Sequence, residues 1–236
     1  MDLRHASCRT AGADRELLAA AGQGNIVQIN RLLVKDANVN AQNSNGQTPI
    51  QLAAARGHAD AVKILVKHGG DVNASDKTGA TALMLGAMGG YSNIINELLA
   101  AGARINSRNL LGMMALMFAV LSNHVSEAEL LVKAGADVNV QSSKGTTVLI
   151  IAASDGRTAV TNFLLAHGAN PNQADQNGWT PLMAAAARND YEIAKMLVDR
   201  GVDVNARDPK GHTALWIATI QHHETIVNIL KQHRAK

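Results

Sequence analysis

The histidines near the C-terminus form the cluster that most resembles a metal site. Gln221-His222-His223-Glu224 places two imidazoles beside a carboxylate, and His233 follows on the same segment. Zinc sites in proteins use characteristic ligand spacings that bring the side chains together. Adjacent residues on a helix point in different directions, and none of those spacings occurs here. We therefore expect no metal site in this chain.

A glycine-rich segment and a cysteine are the other candidates for chemistry. Gly86 to Gly90 lacks the preceding strand and the Lys-Ser/Thr or Gly-x-Gly-x-x-Gly pattern of phosphate-binding loops, so it is interpreted as a helix turn. The single Cys8 has no neighbouring base in a defined element, which argues against a nucleophile. No pair of carboxylates stands apart from the rest of the pattern. The sequence therefore predicts no enzyme and no cofactor.

The histidines recur in a way that indicates architecture rather than catalysis. His58, His124 and His223 share one position of a 33-residue register, and His68 and His167 share another. The same register contains three ladders: Gly46, Gly79, Gly112, Gly145, Gly178 and Gly211; Gly69, Gly102, Gly135, Gly168 and Gly201; and Asn73, Asn106, Asn139, Asn172 and Asn205. Most of the chain is therefore one supersecondary unit repeated in register.

One repeat, residues 43–75, shows what the unit contains. Thr48-Pro49 opens a helix, because the hydroxyl accepts from free backbone amides and proline at the first helical position sacrifices no hydrogen bond. Gly57-His58 makes a turn into a second helix with an apolar stripe, which ends before Gly69. A stretch rich in turn residues then leads to Gly79. The unit is predicted to be a helix, a turn, a second helix and a hairpin.

These residues closely resemble the ankyrin repeat, above all Gly46-Gln47-Thr48-Pro49-Ile50-Gln51-Leu52-Ala53 and the Gly-Ala-Asp-Val-Asn of residues 135–139. The resemblance covers roughly Asp14 to the C-terminus, and the Ala-rich style is similar to bacterial ankyrin arrays. It implies an all-α ankyrin repeat solenoid. The implied domains are a flexible N-terminal tail (1–13), an N-terminal capping repeat (14–42), five full repeats (43–75, 76–108, 109–141, 142–174 and 175–207) and a C-terminal capping repeat (208–236).

The sequence departs from the family pattern in two ways. The histidine of the Thr-Pro-Leu-His motif is absent, so we expect the layers to depend more on apolar contact. Its position holds Gln51, Met84, Met117, Ile150, Met183 and Trp216. Repeat 109–141 departs furthest, because Met114 replaces the Thr cap, at a cost of about 1 kcal/mol. In the same repeat, Asn123 replaces the turn glycine and Glu127 replaces an aliphatic residue. This repeat is the predicted weak link.

The resemblance also indicates where a partner would bind, since the hairpin tips and the exposed sides of the first helices do not pack against neighbouring repeats. Five of the six hairpin-tip pairs are polar or turn-like, and Leu110-Leu111 is the exception. An apolar patch with a basic rim is therefore expected. The predicted contact residues are Met88, Leu110, Leu111, Met113, Leu121 and Trp179, flanked by Lys77, Arg108 and Lys144. Alternatively, both leucines fold against adjacent hairpins as ordinary surface residues.

The resemblance implies a non-enzymatic scaffold that binds another protein, and two alternatives stay open. A pI of 9.1 and the cations along the hairpin edge favour nucleic acid, although those cations are widely spaced and stacking aromatics are almost missing. Trp216, Ile217 and Ile220 are unusually apolar for a capping repeat, which favours self-association into a homodimer. Otherwise a monomer is expected.

Composition and the N-terminus bear on the compartment. A hydrophobic content of 47% with only 3% aromatics suits thin layers of helices, and one cysteine allows no intrachain disulfide. The sequence lacks an apolar stretch of membrane-spanning length and a secretory signal, so we expect a cytoplasmic protein without a membrane span. Ala6-Ser7-Cys8 resembles the end of a bacterial lipoprotein cleavage site. Export to the periplasm is the alternative if the true start lies upstream.

Overall fold

The computed structural model describes the backbone of residues 3–235 and the side chains of residues 12–235. This part of the chain contains fourteen helices, and isolated antiparallel bridges join Ser75 to Thr81 and Gln141 to Thr147. The helices are α1 (Leu3–Gln23), α2 (Ile26–Leu33), α3 (Pro49–Ala55), α4 (Ala59–Lys67), α5 (Ala82–Gly89), α6 (Ser92–Ala100), α7 (Ala115–Leu121), α8 (Val125–Lys133), α9 (Val148–Ser154), α10 (Thr158–Ala166), α11 (Pro181–Arg188), α12 (Tyr191–Asp199), α13 (Ala214–Ile220) and α14 (Glu224–Gln232).

The chain forms two compact units, residues 1–110 and 111–236. In the first unit α1, α3 and α5 pack side by side in one layer, and α2, α4 and α6 form the second layer. In the second unit α7, α9, α11 and α13 form one layer, and α8, α10, α12 and α14 the other. Each unit is thus a two-layer stack of helix pairs, and the predicted all-α repeat fold is confirmed. The first helix begins at Leu3 and ends at Gln23.

Threonine caps begin the first helix of most repeats. The Thr147 hydroxyl accepts from the amide of Ile150 at 3.1 Å, and the Thr180 hydroxyl accepts from the amide of Met183 at 3.2 Å. Met114 occupies the same position ahead of α7 and, as expected, provides no such side-chain bond. The amide of Met117 donates instead to the Met114 carbonyl at 3.0 Å.

The core of each unit comes from aliphatic side chains that recur at fixed positions of the second helices. Ile94, Val160, Ile193 and Ile226 occupy equivalent positions and are all buried. Glu127 stands at this position in α8 and is buried as well. Burial of one such aliphatic side chain contributes about 2 kcal/mol. In the second unit the row therefore begins with a glutamate and continues with three aliphatic residues.

The asparagine ladder links successive repeats through side-chain hydrogen bonds. Asn73 donates from Nδ2 to the carbonyl of Gly102 at 3.2 Å, and its Oδ1 accepts from the amide of Arg104 at 2.8 Å. Asn139 makes the equivalent bonds to the Gly168 carbonyl and the Asn170 amide, at 3.1 and 2.7 Å. Each asparagine therefore satisfies the free backbone groups at the end of the next repeat's second helix. This explains why the 33-residue spacing includes asparagine.

The position of the missing histidine is filled in two ways. Met84, Met117, Ile150 and Met183 are buried there, as expected for apolar contact between layers. Gln51 is also buried, but its Nε2 donates to the carbonyl of Ala80 in the next repeat at 2.7 Å. In this repeat a polar contact remains, because an amide side chain is long enough to bridge the two backbones.

Candidate functional site

The recurrent histidines stabilise helix ends and turns. His68 and His167 each donate from Nδ1 to the carbonyl four residues earlier, that of Ile64 and of Phe163, at 2.9 Å in both cases. His223 donates from Nδ1 to the carbonyl of Ala186 in the preceding repeat at 2.8 Å. Each of these carbonyls also accepts a backbone amide, so the imidazole adds a second hydrogen bond at a helix end. This bracing of helix ends and turns is the architectural role that the sequence predicted.

The remaining chemical candidates have structural surroundings. Gly86 lies inside α5, where an added Cβ would stand 3.2 Å from Ile94 Cγ2, and Gly90 ends the helix in the left-handed conformation. The side chain of Cys8 falls outside the residues whose side chains are described. Among the described side chains, no group of three His, Cys, Asp or Glu residues is placed to hold a metal ion. Between residues 3 and 235, no helix has both the length and the apolar character needed to cross a bilayer.

The hairpin tips are held in place by their own backbone. In the second unit the amide of Ser143 donates to the carbonyl of Leu111 at 2.8 Å, and the amide of Gln176 donates to the carbonyl of Lys144 at 3.1 Å. Pro209 has no amide hydrogen and cannot continue this ladder at the next tip. The Gln176 side chain adds a second link, since its Nε2 donates to the Ser143 carbonyl at 2.8 Å. The Lys144 side chain between these tips is exposed.

The nine residues predicted to contact a partner are divided between the two units. The first unit contains Leu110, which is 75% exposed, Met88, which is 44% exposed, and the exposed Lys77 and Arg108. The second contains Leu111, Leu121, Met113, Lys144 and Trp179. Leu110 and Leu111 do not fold down onto neighbouring hairpins, since at least half of each side chain faces solvent. Trp179 is half-buried.

Four of these residues line one pocket in the second unit, with a volume of about 300 Å³. Leu111 and Leu121, 58% and 43% exposed, stand at the pocket with Met113, and Lys144 is the charged residue of the lining. The lining consists of Leu111, Met113, Met117, Leu121, Ser142, Ser143, Lys144, Thr146 and Ile151. Trp179 is not part of it. The pocket is thus a concave apolar site with polar groups from one hairpin, the usual composition of a binding pocket.

Met117 and Ile151 belong to the pocket but were not predicted from the sequence. Both are buried in the first-helix layer, so their positions in the sequence indicate core residues. Ile151 comes from α9 and Met117 from α7, which pack against each other. The only signal in the sequence is the register, which places Ile151 one repeat after Phe118, beside Met117. A pocket between neighbouring repeats can be predicted only when the packing of their helices is known.

The C-terminal repeat exposes a second apolar area. Trp216 is 43% exposed and Ile220 is 51% exposed, whereas Ile217 is buried. Ile217 therefore belongs to the core of its own unit, and the exposed apolar area consists of Trp216 and Ile220. The His212 ring stacks on Trp216 with centroids 3.7 Å apart, and its Nδ1 lies 2.9 Å from Asp208 Oδ2.

The hydrogen bonds around Asp208 affect its titration. Burial acts to raise the pKa of the carboxyl, and it is the largest single influence. The backbone amide and ring of His212 and the amide of Lys210 donate to the carboxylate, and together they bring the pKa below its ordinary value. Asp208 therefore stays ionised while it holds its hairpin.

Comparisons with known proteins agree with the observed architecture. A sequence model described as ankyrin repeats (three copies) matches residues 17–109, 87–175, 116–208 and 169–236. The crystal structure of the human ASB11 ankyrin repeat domain is similar to this chain with a TM-score of 0.81 and 26% sequence identity, over 90% of this chain and 96% of that one. A search of curated proteins found no match. The matched repeats span nearly the whole sequence, and the chain belongs to the ankyrin repeat family.

Proposed function

We propose that this chain is a non-enzymatic scaffold that binds a partner polypeptide through its hairpin tips and first-helix surface. Ankyrin repeats are in general modules for protein–protein interaction. The observation that carries the proposal is the pocket of the second unit, where two partly exposed leucines stand over an apolar floor. Large exposed apolar groups around a concavity are typical of a contact surface, because their exposure to water is unfavourable in the free protein and is relieved when a partner binds.

The main contact is assigned to Leu111, Met113, Leu121 and Lys144. In the first unit, Lys77, Met88, Arg108 and Leu110 are proposed as further contacts on the basis of their exposure. Trp179 is proposed as a weaker contact, because it is only partly exposed. The leucines provide apolar burial, and the cations orient the partner.

The test is affinity purification from the native source, with the wild-type chain and two double variants as bait. Leu111→Ser with Leu121→Ser removes the pocket walls, and Val27→Ser with Val34→Ser is the matched control, because those valines are also exposed large apolar residues. We expect the first variant to lose partners that the control retains, with the melting temperature of both close to wild type. Identical partner sets for all three baits would refute the proposal.

Self-association through the C-terminal repeat is a second candidate, favoured by the exposure of Trp216 and Ile220. Sedimentation velocity over a hundredfold range of concentration tests it. A dimer that is lost in the Trp216→Ser variant supports this candidate, and a monomer at every concentration excludes it.

A further inference from the structure

The chemistry of the pocket in the second unit limits what can occupy it, and this inference rests on the proposed function. A volume of about 300 Å³ is at the lower end of ligand pockets and suits one or two side chains better than a complete small molecule. The floor is formed by the buried Met117 and Ile151, and Leu111, Met113 and Leu121 supply the walls. An apolar side chain that enters would be shielded from water on its inner side by this floor and these walls.

The two methionines make this pocket adaptable. Their unbranched side chains change shape at little cost, so Leu, Ile, Met or Phe can be accepted as the anchor. The polar lining residues Ser142, Ser143 and Thr146 come from one hairpin and lie on one side. The pocket therefore selects a large apolar side chain without selecting one shape.

The charge at the rim is of one sign. Lys144 is exposed, and none of the nine lining residues is a carboxylate. The next two hairpins begin with Asp175 and Asp208, whose carboxylates accept from the amides of their own turns. The hairpin of Lys144 begins instead with Ser142, whose hydroxyl accepts from the amides of Lys144 and Thr146 at 3.3 and 3.2 Å. Lys144 thus has no carboxylate within its own hairpin.

We infer that the pocket binds a polypeptide segment in which a large apolar residue lies within about two positions of an aspartate or glutamate. The apolar side chain enters between Leu111 and Leu121, and the acidic side chain pairs with Lys144. Because an extended chain advances about 3.3 Å per residue, the acidic residue must be this close in sequence to reach the rim.

The test is selection of random twelve-residue peptides displayed on phage, with the full chain as target at low ionic strength. The best peptide is then synthesised with a fluorescent label, and its Kd is measured by anisotropy. We expect enrichment of a large apolar residue next to Asp or Glu, a loss of at least tenfold for Leu121→Ser, and a loss of about fivefold for Lys144→Glu. Lys231→Glu is the matched control, because it reverses an exposed charge on α14, outside the hairpins.

A charge swap makes the result specific. A peptide with the acidic residue replaced by Lys should bind Lys144→Glu more tightly than wild type. If the leucine variant abolishes binding but neither Lys144→Glu nor the peptide swap matters, the acidic occupant is refuted and the proposed function stands. If no selected peptide depends on Leu111 or Leu121 for binding, the acidic occupant and the proposed function are both refuted. If a single-stranded oligonucleotide displaces the peptide from the pocket, the polypeptide occupant is overturned.

Discussion

Gln51 and Ala80 are joined by a buried hydrogen bond that connects two repeats. The Nε2 of Gln51 lies 2.7 Å from the Ala80 carbonyl and 3.3 Å from the Ala74 carbonyl. Its Oε1 accepts from the amide and the hydroxyl of Thr48, at 2.8 and 3.2 Å. One side chain therefore fixes the start of its own helix and holds the hairpin of the next repeat.

Replacement of Gln51 by Leu should lower the free energy of unfolding by about 2 kcal/mol, because the buried Thr48 amide loses its acceptor at about 1 to 3 kcal/mol. The Ala80 carbonyl keeps the bond from the Asp76 amide and adds little to this loss. Gln51→His should cost less, since an imidazole can still donate across the repeats. Met84→Leu is the control at the equivalent position, with an expected loss below about 1.5 kcal/mol. Urea unfolding followed by circular dichroism measures all three. Equal losses for Gln51→Leu and Met84→Leu would contradict the role of the amide.

The repeat itself could be predicted from sequence because its signals are local and recur. Thr48 and Pro49 begin α3 as the pattern indicates, and Gly57 and Gly69 take positive φ angles of 79° and 82° at the two turns. Each signal depends on residues a few positions away, and the 33-residue register repeats the same information along the chain.

The contacts between repeats could not be predicted in the same way. Gln51 donates to a carbonyl 29 residues ahead. The residues next to Gln51 in the sequence do not indicate that its amide makes the bond between repeats in place of the motif's histidine. The pocket also depends on contacts between repeats, because its floor combines Met117 of one repeat with Ile151 of the next. The exposed Leu111 could be found because two leucines at a hairpin tip violate the pattern of polar tips.

The asparagine ladder should contribute measurably to stability. Asn139→Ala removes a donor to the Gly168 carbonyl and an acceptor for the Asn170 amide. We expect the free energy of unfolding to fall by only about 1 kcal/mol, because both backbone groups can form hydrogen bonds with water instead. Asn162→Ala on the exposed side of α10 is the control, with a change within about 0.5 kcal/mol. Thermal unfolding of the two variants distinguishes them. If Asn139→Ala were as stable as the control, the bonds would contribute nothing.

The helix pair α7 and α8 should be less protected than the next pair, α9 and α10. Met114 supplies no cap to α7, and Glu127 occupies a buried aliphatic position in α8. Hydrogen exchange should therefore be faster in α7 and α8 than in α9 and α10. Thr147→Val removes the cap of α9, should cost about 1 kcal/mol, and should bring its exchange closer to that of α7. Slower exchange in α7 than in α9 of the wild type would disprove this ranking.

The titration of Asp208 should make stability depend on pH in acid. Its pKa in the folded protein is lowered from the ordinary value of 3.8, so the unfolded chain binds the proton more readily. The stabilisation is present above that value and is lost as the pH falls through the lower folded pKa. Asp208→Asn keeps an acceptor for the turn amides but cannot titrate. We expect its unfolding free energy to fall less than that of wild type between pH 5 and pH 2, as measured by urea unfolding at each pH.

A buried hydroxyl in α10 offers a stabilising substitution. Thr161 is fully buried, and its Oγ1 has no hydrogen-bond partner. An unsatisfied buried polar atom costs about 1 to 3 kcal/mol, and valine has the same branched shape without the hydroxyl. Thr161→Val should therefore raise the free energy of unfolding by about 1 kcal/mol. Thr158→Val on the exposed start of α10 is the matched control and should change stability by less than about 0.5 kcal/mol. Destabilisation by Thr161→Val would mean that the hydroxyl is satisfied in solution.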